Sequence, residues 1–252
     1  MSPHEPPTSM TPSALHPEMK VADIVASHPS LARMFEQVGI DYCCGGKRTL
    51  AEACSDKDLD PRTLVVMLEA TMRTAGASEP MVDAARLSLT GLADHIERTH
   101  HAYLKTELPR LADLAARVAV EHAASDGRLN AVRDTVNQLA AEMYSHMGKE
   151  ENVLFPLVRR LDAGSAGDFH CGSIAYPIRQ MESEHDAAGS AVACLRELTD
   201  GFTPAPGACN THHALLAGLA QLERDLHEHV HKENNILFPR AIALEQSQQV
   251  CL

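Results

Sequence analysis

Two eleven-residue stretches of the chain nearly repeat one another 83 residues apart, HMGKEENVLFP at 146–156 and HVHKENNILFP at 229–239. Each carries a His four residues before a Glu, His146 with Glu150 and His229 with Glu233. On a helix this spacing leaves the two side chains roughly 40° apart around the axis and about 6 Å apart along it, close enough to hold one cation. A single pair of this kind is an ordinary exposed ion pair. Here both pairs fall on apolar seams. One seam runs Leu129, Val132, Val136, Leu139, Met143, His146, Glu150, Val153, Leu157, and the other Leu215, Leu219, Leu222, Leu226, His229, Glu233, Ile236. Burying a carboxylate without a partner costs several kcal/mol, and neither seam contains a basic residue to neutralise it. A metal ion is the economical partner.

The same spacing test finds two further inward imidazoles. His185 is the polar member of the seam Ile178, Met181, His185, Ala188, Val192, Leu195, and His101 heads the seam Leu104, Leu108, Leu111, Ala115, Val118, His122. Periodicity prefers His101 to its neighbours His95 and His100, and turns His227 and His231 away from His229 towards the surface. His122 lies roughly 30 Å along the helix from His101 and cannot share its centre. The inward set is His101, His146, Glu150, His185, His229 and Glu233. Six donors are too many for one tetrahedral zinc, and no HExxH occurs. Two octahedral ions bridged by both Glu, with a solvent-derived bridge, use every donor. Imidazole and carboxylate inside a helical bundle point to iron. Ferritin-like bundles use Glu-x-x-His, whose order and spacing differ from those here. Glu142, one turn before His146, and Glu184, beside His185, are candidates to orient a ligand or to carry protons and iron.

The elements that position these residues are helical. With 252 residues, many Ala and Leu, 4% aromatic residues and no Trp, the composition disfavours a sheet. Four long amphipathic segments, at roughly 88–124, 127–162, 176–200 and 208–244, predict a four-helix bundle over 80–246. Pro109, Pro156 and Pro239 are expected to kink or end helices locally. Residues 1–18, rich in Pro, Ser and Thr, read as a disordered tail. Residues 19–75 read as a small helical domain with a Gly-rich loop bearing Cys43 and Cys44, joined to the bundle through the small polar stretch TAGASEP at 74–80. A net charge of −12, spread over periodic segments, disfavours nucleic acid. The absence of a leader pattern and of any 18-residue apolar run reads as a soluble, cytoplasmic chain without a membrane partner. Seven Cys without repeated spacing read as thiols rather than a disulfide framework. Adjacent cysteines bridge each other only with strain, so Cys43 and Cys44 read as two thiols acidified by Lys47 and Arg48, able to exchange disulfides or hold iron briefly. Cys54, Cys171, Cys194, Cys209 and Cys251 read as structural, with Cys194 in the core.

DYCCGG at 41–46, LADHIERTHHAYLKTELPRL at 92–111, YSHMGKEENVLFP at 144–156, MESEHDAAG at 181–189 and HVHKENNILFP at 229–239 together resemble the RIC (repair of iron centres, YtfE/ScdA) family. The resemblance covers nearly the whole chain from about residue 19. It implies an all-α protein, a hemerythrin-like four-helix bundle after a small Cys-containing domain, with two irons on the six seam residues and both Glu bridging. It further implies a role in repairing iron-sulfur clusters damaged by nitric oxide or oxidants, through iron supply or nitric oxide chemistry, with damaged iron-sulfur proteins as partners and nitric oxide or dioxygen as small ligands. A repair factor rather than an enzyme is the expectation, and a homodimer is compatible with it. Two other functions compete: a hemerythrin-type oxygen or nitric oxide carrier or sensor, which generally uses a fifth His, and a dinuclear hydrolase, for which no phosphate loop is present.

Overall fold

The computed structural model describes residues 15–74, 83–164 and 172–249. Most of the expected tail and of the TAGASEP stretch, together with His170, Cys171 and Cys251, lies outside them. Four short helices come first: α1 (Val21–Ser27), α2 (Ala32–Gln37), α3 (Leu50–Ser55) and α4 (Pro61–Thr74). Local chemistry sets their starts. Thr49 caps α3 in a reciprocal box with Glu52, and Asp60 accepts from the Arg62 and Thr63 amides at 3.2 Å just ahead of Pro61, the first helical residue of α4. Ile24, Leu31, Phe35, Tyr42, Leu50 and Leu68 are buried together between these helices. Lys20 and Thr49 form an isolated bridge, and no strand occurs among the described residues.

Four rods then form the bundle. The first is α5 (Leu89–Ile96) and α6 (Ala102–His122), the second α7 (Arg128–Lys149) and α8 (Phe155–Asp162), the third α9 (Ala175–Leu198), and the fourth α10 (Asn210–Lys232) and α11 (Phe238–Gln249). Ser88 caps the first rod through the Gly91 amide at 3.0 Å. The rods carry two separate apolar layers. One contains Leu104, Leu108, Leu139, Met143, Val192 and Leu222. The other contains Leu92, Leu154, Phe155, Ile178, Leu237 and Phe238. Fully burying each such side chain contributes about 1.5–3 kcal/mol, so the layers clamp whatever polar groups lie between them.

Three of the rods change pitch at that junction. A π-helical turn occupies Glu97–His101 in the first rod, Glu150–Leu154 in the second and Glu233–Leu237 in the fourth. A π turn inserts one extra residue into the helical spiral, so an unbroken 3–4 seam cannot pass through it. The expected seam therefore slips after Glu150. Val153, assigned to the core by periodicity, is 53% exposed, while Leu154, Val158 and Leu161 are buried. The expected proline breaks are also relocated. Pro109 sits inside α6, whereas Pro156 and Pro239 each stand second in the helix that follows a π turn.

Candidate metal centre

The junction between the apolar layers holds all six seam residues. His101, His146, Glu150, His185, His229 and Glu233 are each no more than 2% exposed. Their donor atoms form two groups, each with all ligand atoms within 4.8 Å of one another: His101, His229, Glu150 and Glu233, and His146, His185, Glu150 and Glu233. Both carboxylates belong to both groups. The π turns account for this placement, because the first rod's turn ends on His101 and the other two begin on Glu150 and Glu233.

Distances within the cluster are short. His101 Nε2 and His146 Nε2 stand 3.3 Å and 3.2 Å from Glu150 Oε2. His185 Nε2 stands 3.1 Å from Glu233 Oε2, and His229 Nε2 3.1 Å from Glu233 Oε1. Even so, both Glu150 oxygens, Glu233 Oε2 and His101 Nε2 lack an aligned hydrogen-bond partner. Buried polar atoms are seldom left so. His146 Nε2 and His185 Nε2 face each other at 3.0 Å, an approach that two lone pairs tolerate only with a proton or a cation between them. The donor set thus fits iron: hard carboxylates, borderline imidazoles and more positions than zinc takes.

Three of the imidazoles are oriented from outside. His101 Nδ1 meets Glu151 at 2.8 Å, His146 Nδ1 meets Glu184 at 3.0 Å, and His185 Nδ1 meets Asn234 at 2.8 Å. A proton on Nδ1 leaves Nε2 free as a donor towards the centre. Glu151 is held in turn by Lys105, and Glu184 by Lys149 and Gln180. Without metal, protons take the cation's place. Burial pushes the His146 imidazole down, but the Glu150 carboxylate beside it prevails and raises it to about 9. Burial opposes ionisation of Glu233, yet the His229 and His185 imidazoles hold its carboxyl well below the usual carboxylate range. Burial alone dominates at His229, whose pKa falls.

Several neighbours depart from expectation. His100 and His231, placed off the seam by periodicity, are buried, at 3% and 5% exposure. His100 Nδ1 meets Asp225 at 2.9 Å, and its Nε2 accepts from Lys232 at 2.7 Å. The His231 ring packs edge-on against Tyr42. Helix α10 is covered by the N-terminal helices as well as by the bundle, which a single-face seam does not anticipate. Glu151, Asn234 and Asp225 carried no signal of their own in the sequence; Glu151 and Asn234 could have been found as the residues following each repeated Glu. Glu142 does not reach the six donors. It accepts from Gln138 at 2.9 Å and lines a cavity of about 440 Å³ with His146, Lys149 and Glu184. His122 lies beside Cys209, 3.2 Å from its sulfur. Cys194 is exposed rather than in the core.

Cys43 and Cys44 have their sulfurs 3.9 Å apart, and Asp41 accepts from the Cys43 thiol at 3.0 Å. The expected acidification is reversed at Cys43: the Cys44 hydrogen bond, burial and the Asp41 charge push its thiol up. Lys47 and Arg48 are engaged by Glu182 and Asp56 instead. The loop is tied to α11's approach through Asn235, which donates to the Cys43 carbonyl at 3.0 Å. A narrow space of about 20 Å³ between the loop and the bundle is lined by both thiols and by His185.

Residues 92–241 match the hemerythrin HHE cation binding domain, and residues 17–72 match ScdA_N, a domain of unknown function. Proteins named iron-sulfur cluster repair protein YtfE are similar over nearly their whole length. Those of Escherichia coli O157:H7 and Salmonella paratyphi B are 35% identical to the chain, and that of Escherichia coli O81 36%. Each alignment spans 228 residues, 90% of this chain and 98% of the relative. The chain belongs to the YtfE family. Its bundle is accordingly a hemerythrin-like one, and the buried His and Glu clusters are those of a cation-binding domain. No helix among the described residues is long and apolar enough to cross a membrane.

Proposed function

We propose that the chain binds two iron ions, one between His101 and His229 and one between His146 and His185, with Glu150 and Glu233 shared by both and a solvent-derived bridge, and that it repairs iron-sulfur clusters damaged by nitrosative or oxidative stress. The observation that carries the two-ion reading is the membership of both carboxylates in both donor groups. The family's name carries the repair reading. Bound iron would supply redox-active, Lewis-acidic positions for a small ligand such as nitric oxide, or would itself be the cargo delivered.

The chain's own residues do the rest. The two apolar layers exclude water from above and below, so the charges at the junction act on one another in a low dielectric. Glu151, Glu184 and Asn234 hold protons on the outer nitrogens of His101, His146 and His185 and keep the inner nitrogens presented. Glu184 also borders the cavity that reaches His146, a route by which cation and protons can pass. Cys43 and Cys44, whose loop abuts His185, serve as the thiol relay or exchange pair between the centre and a damaged client. Residues 19–75 would then be the thiol-bearing domain, residues 80–246 the iron-bearing one, and residues 1–18 a tail.

The test is to incubate the iron-loaded protein with a nitric-oxide-damaged iron-sulfur enzyme and to follow recovered activity together with the iron remaining on each protein. Recovery with matching iron loss supports donation, and recovery without it supports chemistry at the centre. A fragment beginning near Glu79 should retain iron but fail at repair, as should full-length Cys43→Ser/Cys44→Ser. Equal repair by all three proteins removes the thiols from the mechanism.

A further inference from the structure

His229 is the exception among the four inward imidazoles. The others have Nδ1 partners at 2.8–3.0 Å, whereas His229 Nδ1 is buried and has none. One helical turn earlier on the same rod stands Asp225. Its Oδ1 meets His100 Nδ1 at 2.9 Å, while its Oδ2 is buried and also without a partner. His100 cannot easily release it, because its ring lies parallel to that of His229, 5.3 Å between centroids, and its Nε2 accepts from Lys232. Two unpartnered atoms of opposite hydrogen-bonding character therefore sit at i and i+4 on one helix, with the carboxylate held in place by a third residue.

We propose that Asp225 becomes the Nδ1 partner of His229 in the loaded protein, that the two halves of the centre are therefore unequal, and that the ion between His146 and His185 is released first. This rests on the two-ion reading above. With Asp225 included, the half containing His101 and His229 is backed by two carboxylates, Glu151 and Asp225. The half containing His146 and His185 is backed by one carboxylate, Glu184, and one amide, Asn234. A carboxylate accepting from Nδ1 makes Nε2 a stronger donor than an amide oxygen does. The lysines do not cancel the difference, since Lys105 neutralises Glu151 as Lys149 neutralises Glu184, and Lys232 is engaged by His100 Nε2 and by Glu228 rather than by Asp225. Access separates the halves in the same sense. His146 lines the cavity shared with Glu142 and Glu184, and His185 lines the space against Cys43 and Cys44. The cavity of about 320 Å³ beneath the N-terminal helices is lined by His100 and Asp225 but by none of the six donors.

The experiment loads the full chain with ferrous iron without oxygen, adds excess chromogenic chelator, and follows release against total iron. Wild type should lose iron in two equal phases whose rates differ about tenfold or more. Asn234→Asp gives the weaker half its second carboxylate and should slow the fast phase about tenfold, a gain of retention that a damaged fold cannot produce. Asp225→Asn should accelerate the slow phase and leave the fast one in place. A single phase from wild type holding two irons overturns the inequality and leaves the two-ion reading standing. Acceleration of only the fast phase by Asp225→Asn overturns the assignment of Asp225. A wild-type chain that holds one iron overturns the two-ion reading and this inference with it.

Discussion

The two repeats, 146–156 and 229–239, do the same work inside the bundle and different work outside it. In both, the His and the Glu point into the centre, the Glu opens a π turn, and the residue after the Glu orients an imidazole on a neighbouring rod: Glu151 for His101 and Asn234 for His185. Their outer faces part company. Val153 of the first copy is exposed, whereas Ile236, its equivalent, is 5% exposed. Lys149 is exposed and reaches Glu184, while Lys232 is half-buried against His100. Gly148 has open space around it, and its counterpart His231 packs beneath Tyr42. The repeat thus sets which groups enter the candidate centre, and the N-terminal helices set what stands behind the second copy alone.

The severest test of the common part is to remove the shared carboxylates. Glu150→Ala or Glu233→Ala should each lose most of the iron, because each deletes a donor from both groups. Metal analysis of the purified variants decides it, and full retention by the double variant would end the bridging assignment. Removing the metal comes next in size. Six polar groups would remain between two apolar layers, and metal binding adds directly to folding free energy, so chelation should lower the Tm. The gap should also depend on pH. The His146 pKa is raised from 6.5 to about 9 in the metal-free fold, so its stabilising contribution is complete below about 6.5 and disappears as pH rises through about 9. Metal binding, which needs that proton removed, strengthens over the same interval. The Tm difference between loaded and metal-free protein should therefore widen from pH 6.5 to 9, and a constant difference would show that His146 does not change protonation on loading.

How far all this was legible from sequence depends on which physical rule governed each residue. The six inward donors could be found because α-helical periodicity holds along α6 from His101 onward, along α7 and α10 up to Glu150 and Glu233, and along the unbroken third rod. Beyond Glu150 the rule failed at Val153, since one inserted residue rotates everything after it. In the second and fourth rods, the Pro that stands two residues after the turn's last position was visible in the FP pairs, but a Pro inside a helical pattern equally suggests a kink. His231 was misplaced for another reason: a seam analysis assumes one buried face per helix, and the fourth rod has a second face beneath α1 and Tyr42. His100, inside the first rod's π turn, is buried where it meets Asp225 and Lys232 of the fourth rod. The acidification of Cys43 was misjudged because Lys47 and Arg48 are near in sequence, while the groups that contact its sulfur in space are Cys44 and Asp41.

Making the two copies alike would sharpen the comparison. Glu151→Asn gives the first repeat the residue of the second and replaces the carboxylate on His101 by an amide. Iron affinity should fall about 10–100-fold, the usual cost of losing such a partner, as read by competition with a chelator of known affinity. A variant with unchanged affinity would mean that Lys105 already removes the influence of Glu151 on the imidazole.

The smallest effect belongs to His100. It contributes no atom to either donor group, so His100→Ala should still bind about two irons, as expected of two octahedral ions with this donor set. It is nevertheless the residue that fixes Asp225, and its removal leaves Lys232 without the imidazole that accepts from it. Lys232 can then turn to Asp225 directly and compete with His229 for the carboxylate. Release of iron from the His101 and His229 half should quicken by a few-fold, less than with Asp225→Asn, whose carboxylate is lost altogether. Total iron and the slow release phase, measured on one sample, separate the outcomes. Loss of iron altogether would make His100 a ligand in place of His101, contrary to its position outside both donor groups. An unchanged slow phase would show that the second repeat holds its metal without help from the layer the N-terminal helices bury.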